Sequence, residues 1–598
     1  MPKIEDYALI GDLHTAALVS AEGSVDWLCL PRFDSPAAFA ALLDDDDAGH
    51  WTLAPAAGGR CTSRQYAGNT LVLETDWVTS SGVVRVTDFM PPRGRTPHVI
   101  RIVAGLSGEV AMRSALRLRF DYGRVVPWVR DSGAEIHAIA GPDLVRMMAA
   151  VPMRGDQFET LADFTARQGD RIPFVLSWAP SHEPDMEDVE PDRALSATTD
   201  FWSDWSARAA YQNGPYSGAI DRSLITLKAL TYEPTGGIVA AATTSLPEEI
   251  GGVRNWDYRY CWLRDATYTL QALLAAGYRA EAGAWRDWLL RSIAGQPEKL
   301  QILYSIDGAR RLPEIELDWL AGYEGSSPVR TGNAASAQLQ LDVWGETLDA
   351  LFLARQAGLP ADSDAWALQV ALMSHLESAW REPDNGLWEV RGDQQHFTHS
   401  KVMAWTAADR MARSVRTYGL PGPAVRWEQL RDQIHHEVVT RAFDPRRNTF
   451  TQAYGSPALD ASLLLIPRVG FLPATDPRVL GTISAIRREL CEDGLVRRYQ
   501  TTETDDGVTG SEGLFIACSF WLVDSLHASG QRQEAVELFE RLLLLRNDVG
   551  LLSEEWDPVS QRQLGNTPQA FSHFGLVVSG VQLHTDGPAR SDNPMMAR

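Results

Sequence analysis

The sequence predicts an antiparallel β-sandwich followed by an all-α domain. Apolar and polar residues alternate with a period of two in the first third of the chain, which is typical of strands. From about residue 200, apolar residues recur at three- and four-residue spacing, which is typical of helices. The 598 residues can build several large cores. We therefore place the sandwich at residues 1–184, a linker at 185–216, the helical domain at 217–584 and a disordered tail at 585–598.

The sandwich prediction depends on short apolar runs separated by polar turns. Residues 70–92 alternate apolar and polar positions around a Ser-Ser-Gly turn, which predicts a hairpin. Residues 98–123 and 143–180 repeat the pattern. Short strands at regular spacing favour an antiparallel sandwich. The polar residues of 185–216 are expected to form a coil between the domains.

The helical domain contains twelve helix candidates. Several end at a glycine that suits a helix C-cap, such as Gly277, Gly358 and Gly530. Because strand runs are absent between the candidates, we expect helical hairpins that close into a double-layered toroid. The candidates begin near Ser217, Leu263, Ala280, Ala334, Ser363, Ser400, Pro423, Asp460, Arg478, Glu512, Arg532 and Pro568.

The composition favours a neutral substrate. The formal net charge of −23 disfavours nucleic acid and anionic membranes as partners. The protein could form a homo-oligomer, and the sequence leaves its oligomeric state open. The five cysteines are widely spaced and form no Cys-x-x-Cys pair, which argues against structural zinc and a disulfide framework. The acidic N-terminus does not resemble a signal peptide, and no run reaches the ~20 apolar residues of a membrane span. We expect a cytoplasmic protein.

The most informative segment is Gly251–Tyr278, where aromatic and charged residues precede an apolar-periodic helix. Aromatic rings can cover the apolar face of a pyranose, while charged groups bind its hydroxyls. The segment therefore indicates a sugar-binding site. Packing and helix capping are the alternative reason for such a composition. Its aromatic and charged members include Trp256, Asp257, Tyr258, Tyr260, Trp262, Arg264 and Asp265.

Two further loops place a carboxylate beside an aromatic residue. Glu389 follows Trp388, and Glu554 lies two positions before Trp556. Glycoside hydrolysis uses two carboxyl groups in unlike environments, one protonated and one ionised. A tryptophan wall raises the pKa of a neighbouring carboxyl by desolvation. The two glutamates are far apart in sequence, so only the fold could bring them together.

Five loop segments, in this order, resemble glycoside hydrolase family 15, which includes glucoamylases, glucodextranases and some prokaryotic trehalases. The resemblance covers nearly the whole chain and is strongest in NWDYRYCWLRDA, GLWEVRG and SEEWDP with LGNTPQAFSH. It implies an (α/α)6 barrel, inversion at the anomeric carbon and no cofactor or metal. The five segments are 251–278, 321–335, 384–405, 505–521 and 549–577.

The resemblance implies roles for individual residues. Glu389 matches the general acid and Glu554 the general base, while Arg264 and Asp265 match the pair that holds the terminal glucose. Two departures stand out: Val390 replaces a carboxylate of the fungal members, and Glu555 replaces an amide, so Glu555 is an alternative base. The remaining candidate substrate-binding residues are Trp256, Asp257, Tyr323, Arg330, Trp388, His399 and Lys401.

The predicted activity is that of an exo-acting, inverting α-glucoside hydrolase that releases β-glucose. Trehalose is the preferred substrate, because the chain is expected to be intracellular, lacks a starch-binding module and carries Val390. A glucoamylase or isomaltose-type α-glucosidase is the main alternative. A disaccharide phosphorylase and a non-catalytic sugar-binding protein are the alternatives from other classes.

Overall fold

The structure is a computed structural model that describes residues 1–131, 135–211, 214–294 and 296–585. An antiparallel sheet domain comes first and a helical domain follows, which confirms the predicted order. Residues 586–598 of the predicted tail lie outside the described residues. None of the described helices is long and apolar enough to cross a membrane.

Fifteen strands form the described sheet domain, and each pairs antiparallel with its neighbours. The long strand β9 joins two sets of strands, because its first half pairs with β8 and β15 and its second half with β5 and β14. The strands are β1 (Tyr7–Gly11), β2 (Ala16–Ser20), β3 (Ser24–Cys29), β4 (Ala37–Phe39), β5 (His50–Pro55), β6 (Arg60–Tyr66), β7 (Leu73–Val78), β8 (Gly82–Phe89), β9 (His98–Arg117), β10 (Trp128–Asp131), β11 (Glu135–Ala140), β12 (Asp143–Ala149), β13 (Arg154–Asp156), β14 (Glu159–Arg167) and β15 (Arg171–Pro180).

The alternation of apolar and polar residues along the strands corresponds to the burial of one face of the sheet. Leu73, Thr75 and Trp77 of β7 are buried, and the residues between them are less so. The predicted Ser-Ser-Gly hairpin is confirmed, because Val78 of β7 pairs with Val83 of β8 across that turn. The register of the paired strands is set by the need to keep the apolar side chains on the buried face of the sheet.

The expected coil between the domains is wrong over helix α1 (Pro191–Ser206). Glu190 caps the helix by accepting hydrogen bonds from the next backbone N–H groups, and Pro191 suits the first helical position. Trp202 and Trp205 lie on the buried face of this helix, and the Trp205 ring stacks on Tyr278 with the ring centroids 4.1 Å apart. Tertiary packing therefore stabilises a segment whose start looked too polar and proline-rich.

Eleven further helices follow in the described chain: α2 (Ser217–Ala229), α3 (Leu263–Ala275), α4 (Arg279–Ile293), α5 (Asp342–Gln356), α6 (Ser363–Ala379), α7 (Thr398–Tyr418), α8 (Ala424–Arg441), α9 (Pro477–Glu489), α10 (Ile516–Ala528), α11 (Arg532–Leu543) and α12 (Ala570–Thr585). The helix expected at Asp460 is a short 3₁₀ turn, Ala461–Leu465, which Asp460 caps. A 3₁₀ turn also stands at Ala334–Ala337, and α5 begins only at Asp342.

The loops of the helical domain contain short strands, which the sequence analysis did not anticipate. Each pairs antiparallel and ties a loop to its neighbour. They are β16 (Thr231–Tyr232), β17 (Gly237–Ile238), β18 (Thr244–Pro247), β19 (Asn255–Asp257), β20 (Cys261–Trp262), β21 (Leu303–Tyr304), β22 (Ile315–Glu316), β23 (Arg330–Thr331), β24 (Phe443–Asp444), β25 (Thr449–Phe450), β26 (Cys491–Glu492), β27 (Leu495–Val496), β28 (Leu514–Phe515), β29 (Glu555–Asp557) and β30 (Arg562–Leu564).

The helices differ in burial according to their position. Helices α3, α5, α7 and α10 are buried over most of their length, whereas α4, α6, α8 and α11 bury one face. Among the buried helices, α3 packs on α5, α5 on α7, and α10 on α12, which in turn packs on α3. The loops that precede α3, α7, α10 and α12 hold the residues of the site.

Candidate active site

A cavity of about 640 Å³ lies at the end of the helical domain where these loops meet. Aromatic rings and charged groups alternate around its wall, which suits a polar ring compound with apolar faces. Its aromatic and charged residues are Arg254, Trp256, Tyr258, Arg264, Trp388, Glu389, Arg391, Arg498, Tyr499, Asp506, Phe515, Glu554 and Phe571.

Glu389 enters the cavity wall from a strained backbone position. Its φ of 60° lies in the left-handed region, which is uncommon for a residue other than glycine. Trp262 Nε1 donates a hydrogen bond of 2.6 Å to its carboxylate, and Arg264 Nη1 donates one of 3.3 Å. Burial raises the pKa of Glu389, and the Arg264 charge opposes that rise. The carboxyl is thus half-buried, oriented and able to keep a proton.

Arg264 connects Glu389 to the first turn of α3. Its guanidinium donates to the Leu387 carbonyl at 2.6 Å and pairs with Asp265 at 2.9 Å. Asp265 is buried behind it, and its Oδ1 atom has no hydrogen-bond partner among the described residues. Asp265 therefore does not line the cavity. It pairs with Arg264, which does.

Glu554 occupies the same cavity from the loop before α12. The Tyr258 hydroxyl donates a hydrogen bond of 2.7 Å to its carboxylate. Burial raises the pKa of Glu554 to about 8, and the nearby Glu248 adds to the rise while Arg498 opposes it. Glu389 and Glu554 are therefore brought together by the fold, as the sequence analysis required.

Glu555 points away from the cavity. Its carboxylate accepts a hydrogen bond of 2.7 Å from the Gly513 backbone N–H and lies 4.0 Å from Arg498. One oxygen each of Glu248, Glu512 and Glu555 lies within 4.8 Å of the others, which is a spacing that could hold a cation. Arg498 already donates to two of these carboxylates, so a guanidinium supplies the positive charge there.

Two indole rings form the aromatic walls, and both are fixed by hydrogen bonds. Trp388 Nε1 donates to Asp460 at 2.9 Å, and its ring lies 5.4 Å from that of Phe515. Trp256 Nε1 donates to Glu248 at 3.1 Å. Because each N–H has a partner, both rings are held in a defined orientation in the cavity wall.

Asp257 and Arg330 support the wall from behind and do not line it. Asp257 is buried against Arg259 at 2.7 Å. Arg330 donates to two backbone carbonyls of the loop that carries Trp256, and its guanidinium lies 4.7 Å from that ring. Their predicted contact with substrate is therefore not supported by their positions.

Tyr323 also lies away from the cavity. Its hydroxyl donates to the Pro2 carbonyl at 3.0 Å and accepts from Arg562 at 2.7 Å, at the contact with the amino end of the chain. The Gly-, Ser- and Pro-rich segment 321–335 around it is one of the five segments of the resemblance, and Tyr323 was a candidate substrate-binding residue. The sheet domain covers this loop instead, and this contact cannot be read from the loop's own sequence.

His399 and Lys401 lie behind the cavity. His399 lines a separate, smaller cavity of about 220 Å³ on the far side of Trp388. Lys401 Nζ donates to the Trp380 carbonyl at 2.7 Å at the end of α6, and burial lowers its pKa to about 8. The lysine satisfies helix-end carbonyls, so its predicted sugar contact is wrong.

Several cavity residues were not predicted from the sequence. Tyr258 lies in the opening motif two positions after Trp256, and the alternation of side chains in an extended segment could have identified it. Arg498 stands in VRRYQ, which carries no recognisable spacing signal. The other polar wall residues that were missed are Arg254, Asn333, Arg391, Tyr499, Asp506 and Gln569.

Comparison with known proteins gives matches in both domains. The model of glycosyl hydrolases family 15 matches residues 214–581, and a model described as trehalase-like, N-terminal, matches residues 1–165. A trehalase of Mycobacterium tuberculosis is 40% identical over 612 residues, covering 97% of this chain and 90% of the relative. A trehalase of Thermoplasma volcanium is 36% identical, covering 96% and 93%.

The fold has a close counterpart among solved structures. A bacterial glucoamylase complexed with acarbose superimposes with a TM-score of 0.72, covering 96% of this chain and 93% of that one. Its sequence identity is 12%, so this likeness concerns the fold alone. The family match over residues 214–581 and the full-length relatives lead to one conclusion: the chain belongs to glycosyl hydrolases family 15.

Proposed function

We propose that this family 15 glycoside hydrolase is a trehalase that cleaves α,α-trehalose with inversion. The observation that carries the proposal is that Glu389 and Glu554 line one cavity, each oriented by side-chain donors. Relatives named trehalase that match nearly the full chain support the choice of substrate. The products would be one β-glucose from the attacked ring and one α-glucose from the leaving ring.

Glu389 is proposed as the general acid. It would donate its proton to the glycosidic oxygen as the bond to the anomeric carbon breaks. Burial favours the protonated form by raising its pKa. Arg264, which contacts this carboxyl, would then bind hydroxyls of the terminal glucose and stabilise the carboxylate left after proton transfer.

Glu554 is proposed as the general base. It would remove a proton from the water that attacks the opposite face of the anomeric carbon. The base must be ionised, and the hydrogen bond from Tyr258 favours that form. The mechanism needs Glu389 protonated and Glu554 ionised, so the active form carries one proton on Glu389 and none on Glu554.

The architecture proposed for the helical domain is an (α/α)6 barrel. Helices α3, α5 and α7, the 3₁₀ turn Ala461–Leu465, α10 and α12 contact one another in sequence, and α12 returns to α3. The helices α2, α4, α6, α8, α9 and α11 pack outside them. We keep the boundaries of 1–184 for a β-sandwich and 217–584 for the barrel as part of this proposal.

A cytoplasmic location is also part of the proposal. All five cysteines are free thiols, and three of them are buried in the core. Free thiols persist where the compartment is reducing. The neutral disaccharide proposed as substrate also suits a chain of net charge −23, since no charged ligand has to approach it.

A disaccharide panel tests the function. The purified protein is incubated with trehalose, maltose and isomaltose, and glucose release is measured with and without inorganic phosphate. We expect phosphate-independent glucose release with trehalose far ahead of the other two. A preference for maltose or isomaltose would replace trehalase by the α-glucosidase alternative, and glucose 1-phosphate as product would indicate a phosphorylase.

Product stereochemistry tests the mechanism. Proton NMR of the first minutes of trehalose hydrolysis should show α- and β-glucose in equal amounts before mutarotation. Initial release of α-glucose alone would contradict inversion. The Glu389→Gln and Glu554→Gln variants serve as controls for a contaminating activity.

A further inference from the structure

We propose that Arg259, a buried cation between the two domains, is a positioning residue that holds two cavity loops, residues 254–264 and 330–335, in their active arrangement. Through these loops the sheet domain would help to set the geometry of the active site. The inference deepens the proposed function and rests on it for its kinetic test alone.

Arg259 is fully buried, and every partner it has lies on the sheet domain or on its own loop. Nε and Nη2 donate to the Asp257 carboxylate at 2.9 and 2.7 Å. Nη1 donates to the Ser35 carbonyl at 2.9 Å, and Nη2 donates to the Tyr122 hydroxyl at 2.7 Å. The guanidinium also lies 5.7 Å from the Trp27 ring. Three elements of the sheet domain thus bind one side chain of the helical domain.

The alternation of side chains connects this cation to the reacting groups. In the extended segment that leads to α3, successive side chains point to opposite sides. Trp256 and Tyr258 line the cavity, whereas Asp257 and Arg259 are buried toward the sheet domain. Fixing Arg259 therefore fixes the backbone of Tyr258, whose hydroxyl reaches Glu554.

Asp257 extends the effect to the second loop. Its Oδ2 atom accepts a hydrogen bond of 3.1 Å from the Gly332 backbone N–H. Gly332 has a φ of 73°, and a Cβ atom there would lie 1.9 Å from the Pro313 carbonyl oxygen, so the loop passes in close contact with its neighbour. The next residue, Asn333, lines the cavity. The Arg259–Asp257 pair consequently holds both loops.

Neutral replacement of Arg259 would leave Asp257 buried without its counter-charge. Removal of one partner from a buried ion pair is strongly unfavourable, and the usual response is local rearrangement or entry of water. Such a rearrangement, or the entry of water, can take place at these two loops because both border the cavity. We therefore expect Tyr258 and Asn333 to lose their defined positions in the cavity wall.

A purely structural role at the domain contact is the competing explanation. Arg32 provides a matched control, because it also crosses the domain contact. Its Nη1 atom donates to Asp307 at 2.7 Å, and its other nitrogens pair with Asp34 at 2.8 and 2.9 Å. None of these residues lines the cavity. Arg32→Gln should lower stability without changing either cavity loop.

The first measurement needs no substrate. Amide hydrogen exchange is followed in wild type, Arg259→Met, the milder Tyr122→Phe and the Arg32→Gln control. We expect exchange in residues 254–264 and 330–335 to accelerate by ~10-fold or more in Arg259→Met and to a smaller extent in Tyr122→Phe, since opening becomes local. Unchanged exchange in these loops, or acceleration spread evenly over the protein, would overturn the proposal.

The second measurement uses trehalose hydrolysis. Loss of the Tyr258 hydrogen bond raises the pKa of Glu554, so the acid limb of kcat/KM should move to higher pH in Tyr122→Phe and Arg259→Lys. Arg259→Lys, which keeps the charge, should retain more kcat than Arg259→Met. A fall in kcat with an unchanged pH profile would indicate a structural role only. If wild type leaves trehalose intact, the proposed function fails and the exchange data still decide the role of Arg259.

Discussion

The hydroxyl of Tyr258 lies 2.7 Å from the carboxylate of Glu554, although 296 positions separate them in the sequence. The hydrogen bond joins the loop before α3 to the loop before α12, and both loops border one cavity. Because a hydrogen bond to the charged form lowers a carboxyl pKa, Tyr258 acts against burial and Glu248, which raise it. The Arg498 charge also lowers this pKa, and the balance of these opposing effects governs the predicted pH behaviour.

Replacement of Tyr258 by Phe removes the donor and keeps the ring. A hydrogen bond to a charged group contributes roughly 1.5–3 kcal/mol, so we expect kcat/KM to fall by about 10- to 100-fold. The acid limb of the pH profile should shift to higher pH, because Glu554 becomes harder to ionise. Steady-state kinetics between pH 5 and 9 measure both, and an unshifted limb would argue against the contact with the base.

Replacement of Glu248 by Gln should have the opposite effect on pH. The acid limb of wild-type kcat/KM is expected near the Glu554 pKa of about 8, with activity lost as pH falls below it. Removal of the neighbouring negative charge lowers that pKa and moves the limb to lower pH. Glu249→Gln, at the adjacent partly exposed position, is the control and should leave the limb in place.

The two carboxyl roles can be separated with a substrate that needs no acid. Glu389→Gln and Glu554→Gln should each lower kcat on trehalose by at least ~10²–10⁴-fold. α-Glucosyl fluoride has a leaving group that departs without protonation, so Glu389→Gln should retain most of its activity on it and Glu554→Gln should not. The reverse pattern would exchange the assigned roles.

Packing between α5 and α7 predicts a stability effect. A Cβ atom at Gly345 of α5 would lie 2.1 Å from the Met403 carbonyl oxygen of α7, so Gly345→Ala forces the helices apart. Overpacking of this kind costs typically ~1–3 kcal/mol. Urea unfolding should show a lower midpoint.

Gly283→Ala is the matched control for that measurement. Gly283 lies in α4 with no atom within 4 Å of a Cβ placed there, and alanine is the better helix former by about 1 kcal/mol. We therefore expect a raised or unchanged midpoint. Equal destabilisation by both substitutions would contradict the packing explanation, because only at Gly345 does another helix's backbone stand in the way of a Cβ atom.

Much of the candidate site could be identified from short segments of sequence. Trp256, Arg264, Trp388, Glu389 and Glu554 were all predicted, and all five line the cavity. Their signal is local, because each stands in a short segment where aromatic and charged residues occur together, before or at the start of a helix. Arg498 lacks such neighbours, so nothing in its own segment indicated a site.

Local sequence also misled at particular positions. Lys401 and Tyr323 lie in segments of the expected composition, yet one binds helix-end carbonyls and the other contacts the amino end of the chain. The α1 helix formed where a coil was expected, because Trp202 is buried in the core and Trp205 stacks on Tyr278 of the helical domain. In each case the deciding contact involves residues far away in the chain.

The sequence by itself determined the order of the sheet and helical domains, the position of most helices and the residue types that a glycosidase needs. These follow from periodicity and composition, which act over a few residues. Only the tertiary structure decided which carboxylates share a cavity, that Glu555 turns toward Gly513 while Glu554 faces Tyr258, and that Arg259 joins the domains. The physical reason is that distance, burial and electrostatic coupling depend on segments that meet only after the chain has folded.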